Sequence, residues 1–468
     1  MALIKPNRLI GDRAFYKTLI LVALPIMLQN GITEFVSLLD NIMIGHTSIE
    51  QYNAVVIVNQ LVFVYVVCVF GALAGAGIFS AQFHGNGDRE GVRNAFRFKL
   101  YAAGAVMLVA AYLFIFHGDQ LISLYLHDSD TQDAGDLALT LEYGLQYLHI
   151  ILICMIPHAL TQVYASTLRE TGKTVPPMVA GSVALLVNLV GNYLLIFGHF
   201  GFPEMGVRGA ALATALARFV EFGILAIYTH TNKKKNPFAR GLYRTMRLPR
   251  ALIGKIMVKG LPLLANEILW SGGMAVLAQC YSVRGPVAVG AYGITSTMSN
   301  MFGIAMLALG NAVAIIVGQK LGAGEIEEAK LADSRLIFTS TATCAVIGGV
   351  MALTAPLFPQ LFSEVSQESR ALAVDMIRIA GLILPFNAFA HSTYFTLRSG
   401  GRTLFVFAFD SGYMWLICVP VAFVLGHLTG IPLVPMYGIV LSLELIKCVL
   451  GFFFVKSGFW AKNLIKEQ

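Results

Sequence analysis

Tyr52–Ala81 reads YNAVVIVNQLVFVYVVCVFGALAGAGIFSA. It is a run of thirty residues without Lys, Arg, Asp or Glu. A helix needs roughly 20 mostly apolar residues to cross a bilayer. In hydrocarbon the backbone must satisfy its own hydrogen bonds, and within a single continuous segment only a helix does so. Eleven further apolar runs lie between Thr18 and Val455, giving twelve expected spans. Composition agrees: 57% of the 468 residues are hydrophobic and 13% charged, where soluble domains carry about a quarter charged residues. The start, MALIKPNRLIGDRAFYK, is basic but leads into a long span, so no cleaved signal peptide is expected.

Just after the quoted run stands Gln82-Phe-His-Gly85-Asn-Gly87-Asp88, which recurs 237 residues later as Gln319-Lys-Leu-Gly322-Ala-Gly324-Glu325. The same offset maps Ala23-Leu24-Pro25 onto Gly260-Leu261-Pro262. An offset of 229 maps Thr167-Leu168-Arg169 and Gly172-Lys173-Thr174 onto Thr396-Leu397-Arg398 and Gly401-Arg402-Thr403. Six spans separate equivalent points, so the halves run through the membrane in the same direction, as a parallel repeat about the membrane normal. The expected fold is an all-α membrane protein of twelve transmembrane helices in two six-helix bundles. Residues 1–229 form the first bundle, 230–251 a basic linker and 252–468 the second bundle.

Of the 33 Lys and Arg residues, 27 fall on one side of this topology. Three (Arg208, Arg284 and Arg370) fall on the other, and Arg218, Arg378 and Lys447 lie within spans. The positive-inside rule makes the rich side cytoplasmic, with both termini there. The net charge of +7 then calls for anionic lipid headgroups beside the linker rather than nucleic acid. The glycine-rich loops lack the Lys and Ser/Thr of a phosphate cradle, having Asp88-Arg89 and Glu325-Ile326 instead. They read as tight connections, and transport would draw on an ion gradient, with no cofactor. The six cysteines lie in apolar runs without a C-x-x-C, which argues against zinc or disulfide frameworks.

Charges inside spans are costly and therefore informative. Arg218/Glu221, Asp375/Arg378 and Glu444/Lys447 are each three residues apart and can neutralise one another on one helix face. Glu34, Asp40 and Glu267 have no such partner and should face water or a protein cavity. Desolvation of such an acid suits proton binding. Asn188 and Asn192 share a face of the fifth span. With Asp40 they form an ion-coupling candidate, for a proton on Asp40 or for sodium held by the three. Interhelical amide bonding is the bland alternative.

The early Leu24-Pro25, Leu39-Asp40-Asn41-Ile42-Met43-Ile44-Gly45, both Gln-x-x-Gly-x-Gly loops, the Thr-Leu-Arg…Gly connections and Gly206-Val-Arg-Gly-Ala-Ala-Leu-Ala-Thr214 resemble the multidrug and toxic compound extrusion (MATE) family over nearly the whole chain. The resemblance implies proton- or sodium-coupled export of small organic, often cationic, compounds from the plasma (inner) membrane. By resemblance, Asp40 is the first-helix coupling acid and Asn188 the fifth-helix Asn, while Asn192 stands where many members carry Asp. Glu267 resembles a seventh-helix acid, and Asn387 stands near an acid of other branches. Glu34, Glu267, Trp270 and Asn387 are the substrate-binding candidates. A lipid-linked precursor flippase is the alternative function. It would line its cavity with Arg or Lys, whereas the in-span charges here are mainly acidic or paired. An enzyme would need a nucleophile, metal motif or converging His and acids; His149 and His158 stand nine residues apart without acidic company.

Overall fold

The computed structural model describes residues 9–45, 48–126, 134–362 and 365–466. Twelve of its helices are long and apolar enough to cross a bilayer. They are α1 (Arg13–Gly45), α2 (Ile49–Gly85), α3 (Arg89–Ser123), α4 (Ala134–Glu170), α5 (Val175–Phe197), α6 (Gly206–Thr231), α7 (Arg250–Ser282), α8 (Pro286–Ala323), α9 (Ile326–Thr354), α10 (Gln367–Ser399), α11 (Thr403–Leu428) and α12 (Leu433–Ser457). No strand occurs among the described residues. The expected spans are present, and most helices extend beyond their apolar runs. Lys99 and Arg97, counted above as connection, are therefore helical and buried. Large apolar side chains stay exposed, among them Leu353 at 83% and Leu416 at 80%. In water this would be a liability; against lipid it is the expected outer surface.

The chain divides into two compact units. One comprises Met1–Met27, Ile78–Asp88 and Lys255–Gln468, the other Leu28–Gly77 and Arg89–Gly254. In the second of these, α4 packs on α3 and α6, and α5 on α6. The basic segment 232–249 is tied down through its own backbone: Arg97 donates to the carbonyls of Leu242 and Gly241, at 2.9 and 3.1 Å. Lys173 donates to Lys235 and Asn236, and partial burial holds its ammonium below the ordinary lysine value. Lys233, Lys234 and Lys235 remain exposed.

In the other unit α10 is central, packing on α8, α9 and α12. Here the two copies of the glycine-rich motif meet. The Gln82–Gly85 stretch is still helical rather than loop, as is Gln319–Gly322. A Cβ on Gly85 would collide with the backbone of Gln319, and one on Gly322 with that of Gln82. Only glycine permits backbones to cross so closely. Gly87 and Gly324 then turn the chain at φ +75° and +86°. The repeated motif is thus a crossing of two helix ends, which explains its glycines without any phosphate.

The C-terminal tail seals this crossing. Gln82 donates to the carbonyls of Ser399 and Lys462, at 3.0 and 3.2 Å, and accepts from the Leu464 amide at 2.8 Å. Trp460 is 1% exposed, and its indole donates to Val455. Gly400 lies against its backbone. Trp460→Ala is expected to lower stability by about 3–5 kcal/mol. Thermal unfolding in detergent reads this; an unchanged midpoint would show that the tail is not part of the core.

Helix α11 is wound more loosely than its neighbours, with π turns at Ala408–Gly412, Met414–Cys418 and Val424–Leu428. Two causes are visible. Pro420 lacks a backbone donor. The Asn266 side chain from α7 accepts the Ser411 amide at 3.1 Å, inserting into the α11 ladder.

Candidate functional site

In the unit built from Leu28–Gly77 and Arg89–Gly254, Asn188 and Asn192 are 6% and 2% exposed on α5. A close approach of α5 to α6, where a Cβ on Gly191 would meet Ala213, brings Thr214 beside them. Asn188 donates to the Thr214 hydroxyl at 3.2 Å and accepts from Asn192 at 3.5 Å, a long bond. Thr214 donates to the Ala210 carbonyl at 3.0 Å. The amides therefore form one polar string across two helices, as their spacing suggested, and Thr214 joins it. Only the packing of α5 on α6 reveals the part played by Thr214, although it ends the Gly206…Thr214 motif. Asp40 belongs to α1, but its side chain lies outside the described residues. Glu34 is exposed on the same helix. The expected Arg218–Glu221 pair forms at 3.0 Å. A recess of about 670 Å³ lies elsewhere in this unit, lined by Gln51, Tyr143, Gln146, Glu204 and Arg208 among others, and contains none of the sequence candidates.

In the other unit, Glu267 on α7 accepts the Tyr394 hydroxyl of α10 at 2.9 Å. It has no ion pair among the described residues, although Arg398 acts on it electrostatically from farther away. Asn387, His391 and Tyr394 share one face of α10, by spacings of four and three. The rings of His391 and Tyr394 stack, with centroids 6.2 Å apart and planes 9° apart. The Asn387 Oδ1 and His391 Nε2 atoms are buried without a hydrogen-bond partner among the described residues. Glu267, Tyr394 and His391 are therefore in sequence-distant contact, and Asn387 lies one turn from His391 on the same face of α10. Trp270, one turn beyond Glu267, is 36% exposed.

The third feature was only half legible in sequence. Lys447 of α12 lies 3.9 Å from Glu444, its expected partner, but 2.8 Å from Asp410 of α11. Asn266 donates to the other Asp410 oxygen at 3.0 Å, and the Phe409 ring lies 5.3 Å from the ammonium. Asp410 is thus neutralised within the protein, whereas among the described residues Glu267 has a hydroxyl and no ion pair. Asp375 and Arg378 pair at 3.2 Å on an exposed face, as their spacing implied. No group of three or more His, Cys, Asp or Glu could hold a metal among the described residues.

Comparison with known proteins gives this arrangement its family. The MatE family profile matches residues 25–194 and 262–426. A probable multidrug resistance protein NorM of Thermotoga maritima is 26% identical, the match covering 96% of this chain and 94% of that protein. A probable multidrug resistance protein YoeA of Bacillus subtilis is 25% identical over 88% of each chain. The fold superposes on an outward-facing multidrug resistance MATE family transporter of the MOP superfamily with a TM-score of 0.84. That match has 19% identity and covers 96% of this chain and 97% of that one. A MOP superfamily transporter from Pyrococcus furiosus superposes at 0.83, with 18% identity over the same shares. Since the family profile covers well over half the sequence and takes in both copies of the repeat, the chain belongs to the MATE family of multidrug efflux transporters and is a multi-pass membrane protein, not an enzyme.

Proposed function

We propose that this chain exports small organic compounds, cationic or amphiphilic, in exchange for H⁺ or Na⁺ by alternating access at the plasma membrane, with both termini cytoplasmic. The observation that carries the reading is the contrast between two acids of the second half. Asp410 is satisfied by Lys447 and Asn266, while among the described residues Glu267 is held by a tyrosine hydroxyl without an ion pair, which would leave it open to a cation. Trp270 and Asn387 would complete the recognition surface, the first by its ring face, the second by an unpartnered amide oxygen. Glu34 is a further negative charge on the exposed face of α1. Coupling is assigned to Asp40, with Asn188 and Asn192 orienting its carboxylate or completing an oxygen site for sodium.

The test uses purified protein in sealed vesicles, with proton and sodium gradients imposed separately. Glu267→Gln should weaken export of a cationic substrate at least tenfold relative to a neutral one, since about 1.4 kcal/mol of lost charge attraction is a factor of ten. Equal loss for both substrates would refute charge recognition by Glu267. Flux unmoved by either gradient would refute antiport.

A further inference from the structure

Asp333 lies on α9, is 0% exposed and takes part in no ion pair among the described residues. Its Oδ1 is 2.6 Å from the Thr396 hydroxyl of α10, and its Oδ2 has no partner among the described residues. Thr396 is also fully buried, and its hydroxyl lies 3.0 Å from the Ser392 carbonyl. A threonine hydroxyl has one hydrogen. It cannot be given both to that carbonyl and to a carboxylate. If Thr396 donates to Ser392, the short contact with Asp333 needs its hydrogen from the acid.

The first half of the repeat offers a parallel for the direction of the hydrogens. Thr167 is the equivalent of Thr396 at the offset of 229, and Val163 the equivalent of Ser392. Thr167 donates to the Val163 carbonyl at 2.9 Å. It accepts from the ammonium of Lys99, on α3, at 3.1 Å. Lysine can only donate, so the direction there is unambiguous. In the second half the third helix of the bundle presents Asp333 to the threonine instead. A carboxyl group can fill the donor's place only when it carries a proton.

We propose that Asp333 is a proton-binding site, neutral in this conformation and donating its O–H to Thr396, and that this proton locks α9 to α10. Basic side chains of α8, α9 and α10 make contacts of their own. Lys320 on α8 pairs with Glu325 and Glu328, and Lys330 with Glu327. Arg335 lies over the Phe15 ring at 5.8 Å, and Arg398 over Phe395 at 5.4 Å. An ionised carboxylate here would be fully desolvated with no cation in contact, a costly state. It would also have to draw the Thr396 hydrogen away from the Ser392 carbonyl. The contact lies in a tightly packed antiparallel register: Gly348 meets Gly381 fifteen residues farther along each helix. Loss of the proton therefore strains a contact that cannot easily give. Use of the proton in coupling rests on the antiport reading above; the site itself does not.

Infrared spectra of the purified full-length protein at neutral pH test the site without any transport, so a failed antiport and a failed proton site remain distinguishable. The wild type should show a neutral-carboxylic-acid carbonyl band that Asp333→Asn removes. Thr396→Val, which keeps the acid but removes its acceptor, should shift the same band. That second variant keeps the test decisive if the first does not fold. Linkage adds a second readout. The unfolded chain ionises this aspartate near pH 4, so above that pH the folded state holds one more proton. Stability then falls as pH rises, tenfold per unit in the folding equilibrium. Wild-type thermal midpoints should therefore drop relative to those of Asp333→Asn from about pH 5 to about pH 7. A spectrum in which a folded variant leaves the neutral-acid region unchanged would overturn the proposal, as would parallel pH profiles.

Discussion

Lys447→Ala lowers the stability of the protein by about 3–5 kcal/mol, the usual result of stripping one partner from a buried ion pair. Lys447 and Asp410 are 12% and 15% exposed at the side chain and 2.8 Å apart. Without the ammonium, Asp410 keeps only the Asn266 amide as a hydrogen-bond partner among the described residues, and Glu444 loses the cation 3.9 Å from it. The damage should spread, because Asn266 also holds Ser411 at the π turn of α11 through both the amide and the hydroxyl. The paired replacement Asp410→Asn with Lys447→Met removes both charges at nearly constant volume and should recover most of the loss, since a buried pair exchanged for neutral groups is often nearly neutral in energy. Denaturant or thermal unfolding in detergent measures both variants. A single variant as stable as wild type would mean that the pair is not structural, and would place Asp410 among the acids open to substrate.

Asp40→Asn is expected to abolish gradient-driven export while the protein stays folded in the membrane. Asparagine is nearly isosteric with aspartic acid but cannot release a proton, and it offers sodium a dipole in place of a charge. A tenfold change in a carboxyl group's proton affinity corresponds to about 1.4 kcal/mol, so opening the site toward one side or the other could load and unload it. Substrate can bias the same opening only through different affinity for the two states. Substrate binding and flux should be measured together on reconstituted wild type and variant. Binding kept and flux lost is the expected pair. Normal flux under every proton and sodium gradient would remove Asp40 as the coupler and direct attention to Glu34, Glu267 and Asp333.

What could be read in advance follows from the solvent. Lipid forces each apolar run to close its own hydrogen bonds, so the twelve helices and the all-α class were legible from hydropathy alone. The repeat was legible because its glycines answer to backbone geometry, although their purpose, a crossing of α2 and α8, appeared only when both copies met. Pairing of charges was legible only within a helix turn. Arg218–Glu221 and Asp375–Arg378 follow the three-residue rule. Lys447 keeps its local acid Glu444 at 3.9 Å but lies closer, at 2.8 Å, to Asp410 of a neighbouring helix, which spacing along one helix does not show.

Buried charge near helix ends was the least legible. Asp333 and Lys99 sit in stretches that read as cytoplasmic connection, since neighbours such as Glu327, Lys330 and Arg93 are charged. The helices run on past their apolar segments, and packing at those ends buries both side chains completely. Sequence by itself determined the solvent, the element type, the twofold repeat and the family, each a property of local composition or spacing. Which partner each buried acid meets, Lys447 and Asn266 for Asp410, Tyr394 for Glu267 and Thr396 for Asp333, was decided only by tertiary structure, because each partner comes from another helix.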